Sequence, residues 1–222
     1  MGELHLEIIE NRIKTEKGLE VKTSPPIIVY RESVTKESQA FEGRSPNKHN
    51  SFFIAVEPLE DEIYEAIKDG RLPEGRVKKK SKELNETFVS LGWDYDTAKD
   101  VRDIYKGNIF LEETRGEVHL GEVIEMVLDA FEMVMDQGPL AREPCMKMKV
   151  SLSDTRLHED AIHRGPAQVY PAVREGITDA MKNAKPSLLE PLQVHVIEVP
   201  DNFVGTITKL VGSKRGQLIN VS

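Results

Sequence analysis

The sequence predicts a mixed α+β fold, and three segments carry this prediction. Residues 120–136 place apolar side chains three and four positions apart, which is the spacing of one helical face. Residues 146–153 alternate apolar and polar side chains, as in a strand with one buried and one solvated face. Residues 170–184 return to the helical spacing and stop before a proline. Because helical and strand periods occur in one chain, an α+β protein is favoured over an all-helical or all-strand one.

The first 30 residues predict one helix and two short strands. Apolar side chains at helical spacing indicate a helix from residues 1–12, ended by Gly18. Residues 19–22 and 27–30 are rich in apolar and β-branched side chains and predict strands. The prolines within residues 23–26 predict a turn between them.

A hairpin and three helices are predicted next. Residues 34–55 are predicted to form two strands joined by a polar loop over residues 42–50. The spacing of Leu59, Ile63 and Ile67 predicts an amphipathic helix. The two further helices are short and cover residues 82–91 and 96–105.

The last 30 residues predict a strand at 192–199, a helix at 203–211, a turn at Gly216 and a strand at 218–221. A sheet needs more strands than these to bury one face. The chain is therefore expected to be a fragment of a longer protein.

Composition limits the function classes. The 222 residues carry a formal net charge of −8, which argues against nucleic-acid binding over the whole surface but allows a local basic patch. The single cysteine, Cys145, excludes an internal disulfide and predicts a reducing, cytoplasmic setting. Neither an apolar run of the ~20 residues that a membrane span needs nor a signal peptide is present, so no membrane partner is expected.

Two histidines, His158 and His163, lie close together with Glu159 between them. A zinc peptidase helix places its histidines four apart, on one face. A spacing of five puts them about 140° apart on a helix and on opposite faces of a strand. A metal site is not expected, and a zinc hydrolase that uses these three residues remains an alternative.

The sequence gives little indication of phosphate binding or of nucleophilic catalysis by cysteine. The sequence contains no glycine-rich phosphate loop between a strand and a helix, and Cys145 has no flanking histidine, so it is expected to pack in the core or at an edge. Trp93 is likewise expected to pack. Basic side chains cluster on the 42–50 loop and over residues 71–82, which indicates either a solvated face or contact with RNA phosphates.

Four motifs resemble the elongation factor 2 family of archaeal and eukaryotic ribosomes. They are MGELHLEI at residues 1–8, SPPIIVYRE at 24–32, SPNKHN at 45–50 and LHEDAIHRGPAQVYP at 157–171. The likeness continues through residues 189–191 and 214–216 and covers nearly the whole chain in the family's order. The Pro166-Ala167 pair resembles the archaeal branch.

The resemblance implies three segments. Residues 1–33 would end domain III, residues 34–190 would form domain IV, and residues 191–222 would begin domain V. Domain IV is then expected to resemble domain 2 of ribosomal protein S5, flanked by incomplete ferredoxin-like pieces. Residues 61–106 are assigned to domain IV only by their position.

The resemblance also implies a function. The family couples GTP hydrolysis to movement of tRNA and mRNA, and the tip of domain IV enters the decoding A site of the ribosome. GTP and Mg²⁺ bind to a domain outside this sequence. The chain itself is thus expected to lack a cofactor and enzymatic activity, and its partners are ribosomal RNA at the decoding centre, tRNA and mRNA.

Within that family, His163 matches the histidine that becomes diphthamide. Diphthamide-synthesis enzymes and an ADP-ribosylating toxin are then further partners. The implied RNA-contacting tip residues are Ser45, Pro46, Asn47, Lys48, His49, His158, Asp160, Arg164 and Gly165. Lys48 and His49 are expected to approach RNA, and Asp160 to brace its loop. Arg164 is expected either to bind phosphate or to brace the loop.

Two alternatives besides a zinc hydrolase stay open. One is a free-standing RNA-binding protein that shares the fold of domain IV. The other is a related translational or spliceosomal GTPase of the same architecture.

Overall fold

A computed structural model describes residues 3–24, 27–77 and 81–221. The chain divides into two compact units, Met1–Glu190 and Pro191–Ser222, which are described separately. The helices of the first unit are α1 (Glu3–Lys17), α2 (Asp61–Lys68), α3 (Lys82–Ser90), α4 (Tyr95–Asp100), α5 (Leu120–Asp136) and α6 (Pro166–Asn183). Its strands are β1 (Arg31–Val34), β2 (Phe41–Arg44), β3 (Ser51–Pro58), β4 (Gly75–Arg76), β5 (Val101–Tyr105), β6 (Asn108–Glu112), β7 (Met148–Arg156) and β8 (Pro186–Leu189).

Six strands of the first unit form one sheet in the order β2-β3-β7-β6-β5-β4. All neighbours run antiparallel except β6 and β7, which are parallel. Strands β1 and β8 form a separate antiparallel pair. The predicted α+β class is confirmed.

The larger core lies between the sheet and two helices, α5 and α6. Buried side chains of β3 and β7, such as Phe52 and Val150, pack against Phe131 of α5 and Ile177 of α6. Fully burying a side chain of this size stabilises a fold by about 1.5–3 kcal/mol. These contacts hold α5 and α6 across the sheet and so position the loops at the helix N-termini.

A smaller core covers the other face of the sheet. It joins α2, α3 and α4 to β5 and β6 through side chains that include Ile63, Phe88 and Ile104. Trp93 stacks on Phe88 with the ring centroids 4.8 Å apart, so the prediction that Trp93 packs is confirmed.

Because both faces of the first half of β7, residues 148–152, are covered, one prediction about this strand is wrong. Lys149 and Ser151, which were expected on a solvated face, are buried. The Lys149 ammonium is compensated by Glu57 at 2.9 Å and Glu60 at 3.4 Å, and it lies 5.0 Å from the Trp93 ring centroid. Polar side chains at alternate positions therefore marked a buried ion-pair network.

Helix α6 approaches β2 so closely that only glycine fits there. A Cβ atom on Gly43 would lie 1.9 Å from the backbone oxygen of Ala172, and Gly176 stands opposite. This contact brings the N-terminal end of α6 beside the loop that follows β2.

A buried carboxylate organises the opposite end of the unit. Glu32 of β1 accepts backbone N–H bonds from Leu140 and Ala141, both at 2.8 Å, and from Glu143 at 3.0 Å. Cys145 is buried nearby, and burial raises the pKa of its thiol to about 12. The interpretation of Cys145 as a packed residue is confirmed.

Several other element predictions are confirmed. Helices α1, α3 and α5 occur where helical spacing predicted them, although residues 1–2 lie outside the described part. The hairpin of β2 and β3 is present with a shorter loop, 45–50. Helix α6 begins four residues before the predicted start because Pro166 occupies its first turn, where proline is favoured.

Three further predictions in the first unit are wrong. Residues 19–22 and 27–30 form no strand, and the predicted turn at 23–26 lies partly outside the described residues. The helix predicted for 96–105 ends at Asp100, and its second half is strand β5, which pairs with β6. Helical spacing over so short a segment does not outweigh pairing with a neighbouring strand.

The second unit contains a short 3₁₀ helix, Asp201–Phe203, and α7 (Val204–Ser213). The helix prediction at 203–211 is confirmed. The strands predicted at 192–199 and 218–221 are absent from the described residues, since no neighbouring strand pairs with them. In the described ranges of both units, no helix has the length and apolar character needed to cross a membrane.

Candidate nucleic-acid interface

Two loops lie side by side at one end of the six-stranded sheet. Residues 45–50 join β2 to β3, and residues 157–165 join β7 to α6. The loops are adjacent because β3 pairs with β7, with Ser51 opposite Arg156 at the ends of the two strands. These two loops are called the tip below.

The 45–50 loop is held by its own hydrogen bonds. The backbone N–H of Ser45 donates to the backbone oxygen of Asn50 at 2.9 Å, and the backbone N–H of Lys48 donates to the backbone oxygen of Ser45 at 2.7 Å. The Asn47 side-chain oxygen accepts from the Ser45 hydroxyl at 2.6 Å and from the His49 N–H at 3.1 Å. This network places Lys48 at φ 62° and projects Lys48 and His49 outward.

Two asparagines join the loops. The amide nitrogens of Asn47 and Asn50 both donate to the backbone oxygen of His163, at 3.0 and 2.8 Å. The Asn50 side-chain oxygen accepts from the His158 N–H at 3.1 Å. Asn50 is fully buried, so these bonds are shielded from water and define the distance between the loops.

The 157–165 loop contains one turn of 3₁₀ helix, Ala161–His163, begun by Asp160. The Asp160 carboxylate accepts the Ile162 N–H at 3.1 Å, which is the bracing role expected of it. The Asp160 N–H donates to Nδ1 of His158 at 3.0 Å. In a neutral His158 ring the proton is therefore on Nε2.

Arg164 is an internal brace. Its side chain is 4% exposed, and its guanidinium donates to the backbone oxygens of His158 and Glu159. It also pairs with the Glu122 carboxylate on α5. His119 and Arg164 together hold the pKa of Glu122 below its usual value. Of the two roles considered for Arg164, the geometry supports bracing.

Three imidazole rings meet at the tip. His49 lies 4.9 Å from both His158 and His163, and the latter two lie 4.5 Å apart, between ring centroids. Within the ranges described, no three histidine, cysteine, aspartate or glutamate side chains are arranged to hold a metal ion. Nδ1 of His158 is also occupied by a backbone N–H. The zinc hydrolase alternative therefore has no supporting geometry.

Burial separates the predicted tip residues into two groups. Ser45 and Arg164 are buried and shape the tip from inside. The others are half-buried or exposed, namely Pro46, Asn47, Lys48, His49, His158, Asp160, His163 and Gly165. The surface available to a partner thus consists mainly of the lysine, the histidines and the loop backbone.

Four residues that shape this site were not predicted from the sequence: Asn50, Glu122, Ile162 and Gln168. Asn50 closes the SPNKHN motif, which was its only signal. Gln168 accepts the Asn47 N–H at 2.9 Å, and Ile162 is 76% exposed at the loop apex. Glu122 pairs with Arg164 across 42 residues, and no local pattern indicates such a pair.

The other basic segment, residues 71–82, is partly neutralised within the fold. Arg76 is surrounded by three α5 carboxylates: Glu125 at 2.5 Å, Asp129 in direct contact and Glu132 at 2.8 Å. Residues 78–80 lie outside the described part. Lys48 of the tip, in contrast, is exposed and faces outward.

The first unit thus combines a mixed sheet, two helices on one face and two loops joined at one end of the sheet. The chain matches the family described as elongation factor G, domain IV, over residues 70–185, more than half of its length, and belongs to that family.

The similarity extends to whole proteins named elongation factor 2. The chain is 52% identical to that of Thermococcus kodakarensis, 51% to that of Pyrococcus furiosus and 49% to that of Pyrococcus horikoshii, each over 221 residues. These alignments cover 100% of this chain and 30% of each relative. The resemblance to archaeal elongation factor 2 is confirmed, and the chain spans about a third of the length of these relatives.

Proposed function

We propose that this chain is the tip-bearing part of an elongation factor 2 and that its tip enters the decoding A site of the ribosome during translocation. The chain is about half identical in sequence to archaeal elongation factors 2 over its whole length, and this supports the proposal. So does the tip itself, because Lys48 and His49 project outward on a loop whose shape is set by partly buried hydrogen bonds. Side chains of this type contact RNA phosphates and bases.

The chemistry of the complete factor is assigned to a segment outside this chain. A GTPase domain with GTP and Mg²⁺ would drive translocation of tRNA and mRNA, and the tip would act by binding ribosomal RNA and the tRNA–mRNA pair. In this scheme the chain hydrolyses nothing itself. It works in the cytoplasm, where ribosomes translate.

The segment limits remain part of the proposal. Residues 1–33 would end domain III, 34–190 would form the domain IV that resembles ribosomal protein S5, and 191–222 would begin domain V. The boundary between the two compact units, after Glu190, supports the last limit. The flanking pieces are proposed to complete ferredoxin-like domains with segments outside this chain.

His163 is proposed to carry diphthamide. The tip presents it in a defined position, since its backbone oxygen is held by two asparagines while its ring lies half-buried beside two other imidazoles. Exposed neighbours, Asp160 and Ile162, leave room for an enzyme to approach. Diphthamide-synthesis enzymes and an ADP-ribosylating toxin would both act at this ring.

The single observation that carries the proposal is the outward Lys48 on the braced loop, and the full-length factor tests it. Replacing Lys48→Ala should weaken binding to archaeal ribosomes and slow single-round translocation. Loss of one phosphate contact should also reduce the slope of log affinity against log salt by roughly 0.7–0.9. Lys36→Ala, which removes an exposed lysine at the end opposite the tip, is the matched control. Unchanged affinity and translocation for Lys48→Ala at all salt concentrations would contradict the contact.

A further inference from the structure

We propose that the RNA-binding surface extends beyond the tip loops onto the open face of β2, β3 and β7, where Arg44 and Arg156 bind phosphates of an RNA strand. This inference rests on the proposed function, because it assigns a second contact region to the same partner. These two residues and Ser51 are called the basic row below.

The strand register places the basic row in one line across the sheet. Arg44 pairs with Ser51, and Ser51 pairs with Arg156. Paired residues on neighbouring antiparallel strands point to the same face. The alternate row, Gly43 and Phe52, faces α6 and the larger core. The two arginine Cα atoms are therefore two strand spacings, about 10 Å, apart on the open face.

Both guanidinium groups are free to bind an external anion. Arg44 makes one long contact, 3.4 Å, to the backbone oxygen of Lys48. Within the described ranges neither Arg44 nor Arg156 has a carboxylate partner, although both are exposed. Arg76 and Arg102, by contrast, are paired with carboxylates.

An aromatic side chain positions Arg156. The Arg156 guanidinium carbon lies 5.1 Å from the centroid of the half-buried Phe53 ring. A guanidinium over an aromatic face is held flat, and this leaves its edge free for bidentate contact with a phosphate. Phe53 is thus a positioning residue for the basic row.

The next row along the strands limits the surface. Glu42 pairs with Phe53, and Phe53 pairs with Asp154, so two carboxylates flank the aromatic ring. The Ser51 hydroxyl donates to Glu42 at 2.6 Å and holds that carboxylate against the sheet. The Glu42 carboxylate thus reaches Ser51 at the middle of the basic row, and the positive charge of this surface is carried by Arg44 and Arg156 at the two ends of the row and by Lys48 on the tip.

Charge complementarity selects RNA as the occupant. The chain has a net charge of −8, so a local surface with Arg44, Lys48 and Arg156 and no paired carboxylate among the described residues attracts a polyanion against the overall charge. Two arginines about 10 Å apart fit phosphates spaced along a strand that also reaches the tip. An acidic protein surface is the competing occupant.

The test uses the full-length factor and archaeal small ribosomal subunits, with affinity measured across KCl concentrations. Arg44→Gln combined with Arg156→Gln should weaken binding by roughly tenfold and reduce the salt slope by about 1.4–1.8, that of two lost phosphate contacts. The matched control is Arg142→Gln combined with Lys36→Gln, which removes the same charge at the end opposite the tip and should bind as the unchanged factor does. Circular dichroism melts confirm that each variant is folded.

Four outcomes would overturn the inference. If Lys48→Ala weakens binding but the double arginine variant does not, the tip alone contacts RNA and the proposed function stands. If the arginine variant weakens binding without changing the salt slope, or if the control weakens it equally, the row does not bind phosphate. If the unchanged factor does not bind the subunits, the proposed function fails together with the inference.

Phe53→Leu tests the positioning role separately, since it keeps every charge. We expect affinity to fall several-fold while the salt slope stays within about half a unit of that of the unchanged factor. Affinity equal to that of the unchanged factor would show that Arg156 needs no aromatic support.

Discussion

The side-chain amide of Asn50 donates to the backbone oxygen of His163 at 2.8 Å, although 113 residues separate the two in sequence. Asn50 is fully buried while His163 is half-buried, and a neighbouring bond from Asn47 ends on the same oxygen. The conformation of the loop around His163 therefore depends on the hairpin loop of residues 45–50. A substitution in one loop should alter the conformation of the other.

Asn50→Asp tests this dependence. The substitution keeps the size and the acceptor oxygen but removes the donors to His163 and to the Ser45 hydroxyl. A buried acceptor without its donor costs about 1–3 kcal/mol, so the free energy of unfolding in urea should fall by that amount. Asn47→Asp, at a half-exposed position with one such donor bond, is the control and should cost less. If both variants lost the same free energy of unfolding, the burial of Asn50 would not strengthen the stabilising effect of its hydrogen bonds.

Arg164→Lys tests the internal brace. A lysine cannot reach the two backbone oxygens and the Glu122 carboxylate together, because its ammonium is a single point charge. We expect the free energy of unfolding to fall by about 1–3 kcal/mol and backbone amides of the 157–165 loop to exchange hydrogen faster. Arg174→Lys, at an exposed position on α6, should change neither quantity. An unchanged hydrogen-exchange rate in Arg164→Lys would contradict the bracing role of Arg164 in the 157–165 loop.

Gly43→Ala tests the close approach of β2 and α6. The added Cβ would meet the Ala172 backbone oxygen at 1.9 Å, so the helix has to move. The free energy of unfolding should fall by more than about 2 kcal/mol. Gly121→Ala is the control, because a Cβ there meets nothing within 4 Å and the residue lies in α5. Alanine in that helix should raise stability by about 0.5–1 kcal/mol. A neutral Gly43→Ala would contradict the packing of α6 on β2.

Asp103 predicts a pH dependence of stability. Burial, and then the nearby Glu132, raises the pKa of this carboxyl from 3.8 to about 7, and its Oδ2 atom has no partner among the described residues. The folded state therefore holds this proton up to about pH 7, while the unfolded chain releases it near 3.8. The resulting stabilisation is complete below pH 3.8 and is lost as the pH rises through 7.

Asp103→Asn should remove this dependence. Relative to the unchanged chain, the free energy of unfolding of the variant should increase between pH 5 and pH 8 by roughly 1–3 kcal/mol. Asp154→Asn alters an exposed carboxyl and serves as the control measured over the same range. A difference between Asp103→Asn and the unchanged chain that stays constant with pH would show that Asp103 does not titrate there.

The long helices could be predicted from the sequence, because a 3.6-residue period repeated over several turns is typical of a helix and does not fit a strand. Helix α5 matches its prediction, Leu120–Asp136, at both ends. Strand β6 could not be predicted in this way. All five of its residues are buried, so it shows no alternation of polar and apolar side chains.

The candidate site likewise contains features that local sequence patterns located and features that they did not. The motifs located both loops and His163, but local patterns did not indicate that Arg164 points inward to Glu122 or that Asn50 reaches His163. These contacts join distant segments, and the fold alone decides them. Likewise, the alternation around Lys149 predicted a solvated face because the pattern cannot show that α2, α3 and α4 cover it.

The mass of the His163 peptide, from the factor purified from its native host, tests the central claim most directly. We expect the added mass of diphthamide on His163 and transfer of ADP-ribose from NAD to that residue by diphtheria toxin. An unmodified histidine mass with no transfer would contradict the assignment of this loop as an elongation factor 2 tip, although the α+β fold would remain.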